Sequence, residues 1–360
     1  MLRKVKAAQY GCGKMSVYLM RYLLEKGADI VAAFDVNPAV IGKDIGEIIG
    51  GGKILGVVVS DARDAERILS ECKPDVCVVA TLSTMADVQE AFTACARNGV
   101  NAIATAEEAI FPWNSSPAIT AELDALAKQH GCTLAGSGYP DMYWGVLVDT
   151  LAGSLHKLTR IVGSSSYNVE DYGIALARAH GAGLTLAEFA EQLGCNNDLG
   201  SRDIAQKITT GEVAPSYMWN QNGWLCARLG LTAVSQVQKC LPMTHATDLH
   251  SSTLGMTIKA GCATGMSAVV VTETAEGITL ETQCIGKVYA PDEFDRNEWC
   301  FEGEPDVTIT VDRPATVELT CATLVNRIPA LIDAAPGYIS TDKLPNNVYL
   351  VRSMESYVRG

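Results

Sequence analysis

The stretch VKAAQYGCGKMS, residues 5–16, runs a short apolar segment into Gly11-Cys12-Gly13 and then into a helical pattern that continues to Lys26. A strand that meets a glycine turn and a helix in immediate succession opens a βαβ unit. Gly11 allows the tight turn. Gly13 lets an anion approach the backbone at the positive end of the helix. Ser16 stands where a third glycine is usual and is still small enough for helix–strand contact. Gly11, Cys12, Gly13, Lys14 and Met15 are therefore read as a phosphate-binding loop.

The next strand supports that reading. Ile30–Phe34 ends at Asp35, 24 residues beyond Gly11, which suits a carboxylate that accepts hydrogen bonds from an adenosine ribose. Asn37 follows, and Val36-Asn37-Pro38-Ala39 holds no arginine for a 2′-phosphate. The expected cofactor is NAD, with NADP as the alternative. A tight turn and a surface aspartate in a sheet that binds something else is the blander account.

The strand–helix rhythm continues outward. Gly56–Val59, Val76–Ala80, Asn101–Ala106 and Cys132–Ala135 read as further strands, separated by helices near residues 61–71, 85–97 and 116–130. The expected fold is α/β, an N-terminal Rossmann domain with a doubly wound parallel sheet. After Gly136-Ser137-Gly138-Tyr139-Pro140 the rhythm changes. Residues 141–255 look largely helical, with an early strand near Leu158–Ser164. Alternation returns at Val269–Glu273, Ile278–Ile285 and Val307–Val311, and a last helix spans about Val317–Ala334. The expected domains are 1–140, binding NAD(P), 141–315, an α+β substrate and dimerisation domain with a mixed or antiparallel sheet, and 316–360, a helix and tail packing back on the first.

Composition narrows the partners. The 360 residues are 48% hydrophobic and 19% charged, as in an ordinary globular protein. A net charge of −13 offers no basic surface for nucleic acid or an anionic membrane. No apolar run approaches the roughly 20 residues that span a bilayer. Met1-Leu2-Arg3-Lys4 leads straight into a strand, without room for a signal peptide, so the expected location is cytoplasmic. Twelve scattered cysteines without a Cys-x-x-Cys pair, and five histidines away from zinc-site spacing, read as buried thiols in a reducing compartment. No metal is expected. Gly50-Gly51-Gly52 reads as a surface loop.

The chemistry is sought at the carboxyl ends of the strands, where such sheets bind ligands. Thr81-Leu82-Ser83-Thr84 follows the fourth strand, making Thr81 and Ser83 cofactor candidates. Glu107 and Glu108 follow the fifth. A solvated helix start is the blander account of the pair. Related two-domain dehydrogenases hold a lysine here, as Ala-Asn-Lys in homoserine dehydrogenases and Glu-Lys-Pro in the glucose–fructose oxidoreductase family. Aligned on these, Glu108 takes the lysine's place. A cation polarises a carbonyl oxygen, whereas a carboxylate attracts an ammonium group, which favours an amine substrate over an alcohol.

The stretch Glu107-Glu108-Ala109-Ile110-Phe111-Pro112-Trp113 resembles the 2,4-diaminopentanoate dehydrogenases and the related native amine dehydrogenases. Phe34-Asp35-Val36-Asn37-Pro38, Gly136-Ser137-Gly138, Gly181-Ala182-Gly183-Leu184-Thr185, Val325-Asn326-Arg327-Ile328-Pro329 and Ala335-Pro336-Gly337 carry the same resemblance. It departs at Tyr139-Pro140-Asp141-Met142, where the family has an Asn-Pro-Gly-like turn. The resemblance implies oxidative deamination of a primary amine or diamino acid, or the reverse amination of a carbonyl by ammonia. It makes Glu108 the catalytic carboxylate and Glu107 its neighbour. A homodimer is expected.

Tyr143 and Trp144, just past the Rossmann exit, and His180, before Gly181-Ala182-Gly183, are candidate substrate contacts. Thr185-Leu186-Ala187-Glu188 reads as a capping box, Trp219, Asn220 and Trp224 as core before a helix, and His245 with His250 as a poor metal pair. Two alternatives remain open. One is a dihydrodipicolinate reductase-like enzyme, whose His-His motif and lysine are absent from residues 141–170. The other is an NAD-binding regulatory protein without chemistry.

Overall fold

The computed structural model describes residues 3–50 and 52–359. Met1 and Leu2 of the N-terminal reading, and Gly51 of the glycine loop, lie outside the described residues. The chain forms two compact units, one of Met1–Val146 with Ala315–Gly360, the other of Leu147–Pro314.

In the first unit β1 (Lys6–Tyr10) leads through the glycine turn to α1 (Lys14–Glu25). Ser16, Leu19, Met20 and Leu23 are buried along α1, the spacing that turns one stripe of a helix to the sheet. Then come β2 (Asp29–Asp35), α2 (Ile45–Ile49), β3 (Val59–Asp61), α3 (Ala65–Cys72), β4 (Val76–Val79), α4 (Met85–Arg97), β5 (Asn101–Ala104), α5 (Pro117–His130) and β6 (Thr133–Gly136). The third strand was expected over Gly56–Val59 but starts only at Val59. Asp44 takes up the N–H groups of Leu55 and Gly56, at 2.8 and 2.7 Å, so that stretch is a turn. Residues of β4 are wholly buried, as befits a parallel strand covered on both faces.

The second unit contains α6 (Leu147–Ala152), β7 (Lys157–Asn168), α7 (Ile174–Ala179), α8 (Leu186–Gln192), α9 (Ser201–Thr209), α10 (Tyr217–Leu229), β8 (Ala233–Thr244), β9 (Leu249–Ser251), β10 (Met256–Ile258), β11 (Ala263–Thr274), β12 (Thr279–Lys287), β13 (Arg296–Glu304) and β14 (Val307–Asp312). The order β14-β13-β7-β12-β11-β8 is mixed, because β7 and β12 run parallel and the other neighbours antiparallel. Residues 141–255 are less helical than the sequence suggests. β8 lies at the sheet edge, where half-exposed Gln236 and Gln238 and exposed Lys239 dilute its apolar pattern. β13 hides Asn297, Trp299 and Phe301 between exposed or half-exposed Arg296, Glu298, Cys300 and Glu302. Trp219, Asn220 and Trp224 are buried on α10 itself, and His250 lies on β9.

The chain then returns to the first unit as α11 (Thr316–Ile332) and β15 (Gly337–Tyr338). β15 pairs with β6, completing an all-parallel sheet of order β15-β6-β5-β4-β1-β2-β3. Residues from α3, α4 and α5, including Leu69, Phe92 and Leu123, pack in one buried cluster. Leu19 and Leu23 of α1 pack with Leu324, Ile328 and Leu331 of α11 in the other. This is a doubly wound layer structure with the carboxyl ends of its strands gathered at one edge. Among the described residues no helix is long and apolar enough to cross a membrane. The twelve cysteines form no disulfide, and no described group of His, Cys, Asp and Glu could hold a metal.

Candidate active site

The glycine loop is held from below and left open above. Gly11 has φ +87°, and a Cβ there would stand 2.3 Å from the Ala80 carbonyl oxygen, so only glycine fits. Its N–H donates to Phe34 at 2.8 Å, and Gln9 donates to the Gly11 carbonyl at 2.9 Å. Gly13, the residue capping α1, is different: a Cβ there would meet nothing within 4 Å. Its missing side chain leaves a cradle at a helix N-terminus, suited to a pyrophosphate. The Ser16 hydroxyl donates back to Gly13 O at 2.6 Å, so the third position braces the loop as well as fitting under it.

Asp35 joins this loop directly. One carboxylate oxygen accepts from Cys12 N at 2.6 Å and the other from Asn37 N at 2.7 Å. Each oxygen retains a lone pair, which leaves acceptors for ribose hydroxyls. Burial beside Asp35 pushes the Cys12 thiol up to about 12, so it is an inert neighbour. Lys14 is exposed and Met15 half-buried. Val36 and Leu82, 77% and 67% exposed, present apolar side chains after β2 and β4. Thr81 is exposed beside Leu82, and Ser83 is half-buried. The residues present fit a dinucleotide.

The two glutamates occupy unlike environments. Glu108 is 6% exposed. It accepts from Met85 N, the first residue of α4, and from the hydroxyls of Ser115 and Ser116, each at 2.6 Å. Its N–H donates to Ser83 O at 3.1 Å. Behind it, the Tyr338 hydroxyl donates to Ala109 O at 2.6 Å, and Gly136 approaches so closely that a Cβ would lie 2.3 Å from the Ala109 carbonyl carbon. The turn after β5 is thus rigidly seated. Glu107 is half-buried, and burial raises its carboxyl above the ordinary range, a shift that a hydrogen bond from the Ser83 hydroxyl only partly offsets. A carboxyl with a raised pKa beside a candidate nicotinamide site is suited to exchange protons.

Past β6 the chain forms a π-helical turn, Pro140–Val146. Tyr139 stacks on Tyr143 with centroids 4.4 Å apart, and meets Trp144 edge-on at 5.9 Å. Asp141 within this turn is bound by Arg327 of α11. Neither residue was singled out as a site residue from sequence, although an arginine inside an apolar helix signals a buried partner. His180 belongs to the second unit. Its Nδ1 lies 2.9 Å from the Leu176 carbonyl and its Nε2 2.6 Å from the Tyr167 hydroxyl. Since a carbonyl only accepts, Nδ1 carries the proton, and burial lowers the pKa, keeping the ring neutral. Thr185 and Glu188 form the expected capping box on α8.

Fold and loop define an NAD(P)-binding oxidoreductase of two units. No family model matches the chain. A solved amine dehydrogenase from Mycobacterium smegmatis is 36% identical, covers 96% of this chain and 98% of its own, and superposes with a TM-score of 0.83. The chain belongs to the amine dehydrogenase family. It is also 25% identical over 203 residues to the 2,4-diaminopentanoate dehydrogenase of Acetoanaerobium sticklandii, covering 52% of this chain and 53% of that one, about half the relative's length. A scyllo-inositol dehydrogenase from Lactobacillus casei, 13% identical with a TM-score of 0.54 over 99% of this chain and 94% of its own, shares the fold alone.

Proposed function

We propose that this chain is an NAD-linked amine dehydrogenase that deaminates a primary amine or diamino acid oxidatively and aminates the carbonyl in reverse. The observation that carries the reading is the pair of unlike carboxylates at the end of β5, where sister families place a lysine. An acid there suits an ammonium substrate.

On this reading Glu107, rather than Glu108, carries the proton chemistry. Glu108 already serves three donors and seats the turn. Glu107 is the carboxyl whose pKa burial raises. As a carboxylate it orients the ammonium, removes a proton to leave the free amine, releases that proton to solvent, and then takes a proton from the water that attacks the iminium carbon. NAD, when bound, accepts the hydride from the amine-bearing carbon. In balance, a protonated amine, NAD and water give a carbonyl, ammonium, NADH and one proton. Gly11, Gly13 and Asp35 hold the nucleotide, with Thr81 and Ser83 beside its nicotinamide half. Tyr143 and Trp144 contact the carbon skeleton of the substrate. The functional form is a homodimer, which light scattering checks as twice the 38.3 kDa chain mass.

The test is NADH absorbance across amines, diamino acids and hydroxy acids, with Glu107→Gln and Glu108→Gln beside the parent protein. Amine turnover that falls about 10²–10⁴-fold in Glu107→Gln supports the assignment. Turnover of hydroxy acids but not amines would defeat the reading.

A further inference from the structure

We propose that the buried Asp141–Arg327 ion pair is a positioning device that sets substrate selectivity by fixing the aromatic turn Tyr139–Trp144. This rests on the reading that Tyr143 and Trp144 contact substrate.

Both side chains of the pair are 0% exposed. Arg327 Nε donates to one Asp141 oxygen at 2.7 Å and Nη2 to the other at 2.8 Å, a planar fork that fixes orientation as well as distance. Ser137 adds a hydroxyl donor to Asp141 at 2.8 Å, and Arg327 Nη1 donates to the Pro345 carbonyl. The turn has a second anchor on the same helix, since Thr320 Oγ1 accepts from Tyr139 N at 3.1 Å. Thr320 and Arg327 are seven residues apart, about two helical turns, and so lie on one face of α11. Two points on a rigid helix therefore hold a segment whose aromatic rings are in contact with one another.

Stability alone is a poor reason to bury this pair. Desolvating two charges costs about as much as their attraction returns, and apolar replacements of similar volume are often neutral or stabilising. What the fork provides and an apolar pair does not is a single register for the backbone of Asp141. That register determines where Tyr143 and Trp144, two and three residues further on, come to stand. The π-helical form of the turn fits this account, because such turns are rare and recur at functional sites.

The test compares the parent with Arg327→Met, Asp141→Asn and the double variant Asp141→Leu/Arg327→Met. The single changes can unfold the protein by leaving a buried group unpaired. The double variant removes both charges and keeps the proposal testable. Near-UV circular dichroism of the aromatic cluster, NAD affinity, and KM and kcat for a short linear and a branched amine are measured. The expected result is a folded double variant with NAD affinity within about twofold of the parent. Its near-UV bands should be altered, and its branched-to-linear preference should change about tenfold, mainly through KM. A folded double variant with unaltered near-UV bands and preference overturns the proposal. If the parent turns over no amine, the reading of function fails, and the near-UV bands still decide whether the pair orders the turn.

Discussion

Glu107 and Glu108 share one chemistry and differ only in what surrounds them, so their substitutions should separate two kinds of loss. Glu108→Gln replaces an acceptor facing Met85 N, Ser115 and Ser116 with an amide that offers donors of its own. A buried donor left unpaired costs about 1–3 kcal/mol, so this variant should melt several degrees lower and lose activity through the displaced turn. Glu107→Gln should do the reverse. A carboxyl whose folded pKa lies above its unfolded value favours folding at pH below the unfolded value. That contribution is lost as pH rises through the folded value. At neutral pH Glu107→Gln should therefore melt at or above the parent temperature, with the difference vanishing in acid. On the proposed mechanism amine oxidation needs the Glu107 carboxylate, so the parent's activity should rise with pH along a limb above the ordinary glutamate range. Glu107→Gln should erase that limb. A limb that persists in Glu107→Gln would assign it to another group. Asp35→Ser should narrow the preference for NAD over NADP, and should also lower the melting temperature, because Cys12 N loses its partner.

Among the elements, the glycine loop offers a contrast that stability and binding measurements can split. Gly11→Ala forces a Cβ against the backbone at 2.3 Å with φ +87°, and should destabilise the first unit before any ligand is added. Gly13→Ala meets only open space at an ordinary φ, so the protein should fold normally while NAD binds about tenfold more weakly. Equal NAD affinity in Gly13→Ala would place the pyrophosphate elsewhere. This loop was legible in the sequence because its chemistry is local: a strand, a turn that demands glycine and a carboxylate at fixed spacing. The parallel strands β1, β2, β4, β5 and β6 were legible for the same reason, as short buried runs between helices, whereas β3 was met only at Val59 and the two-residue β15 was missed. β8 and β13 were obscured by polar residues that alternate on a half-covered sheet, where a run of burial never accumulates. The unlike environments of the two glutamates were not readable either. Their difference arises from Ser83, Ser115, Ser116 and the start of α4, which only folding brings together.

At the scale of the whole molecule, the first unit is assembled from two stretches of chain, with Leu147–Pro314 inserted between them. The returning stretch is not an appendage. α11 contributes Cys321, Leu324, Val325, Ile328 and Leu331 to the buried cluster that α1 shares, and β15 closes the sheet beside β6. Fully burying each large apolar side chain contributes about 1.5–3 kcal/mol, so losing these residues removes an amount comparable to the net stability of an ordinary domain. Removal also strands the Asp141 carboxylate without Arg327 in a fully buried position. A chain ended after Pro314 should therefore fail to form the first unit and show no NAD-dependent rise in melting temperature. The intact protein at 100 times its dissociation constant should gain about 2.7 kcal/mol. The inserted unit is continuous and has its own six-stranded sheet, so residues 147–314 expressed alone should fold cooperatively without responding to NAD. Circular dichroism melts of the three chains, with and without NAD, decide the matter. A truncated chain that keeps its NAD-dependent shift would mean that α11 and β15 cover a nucleotide fold already complete without them.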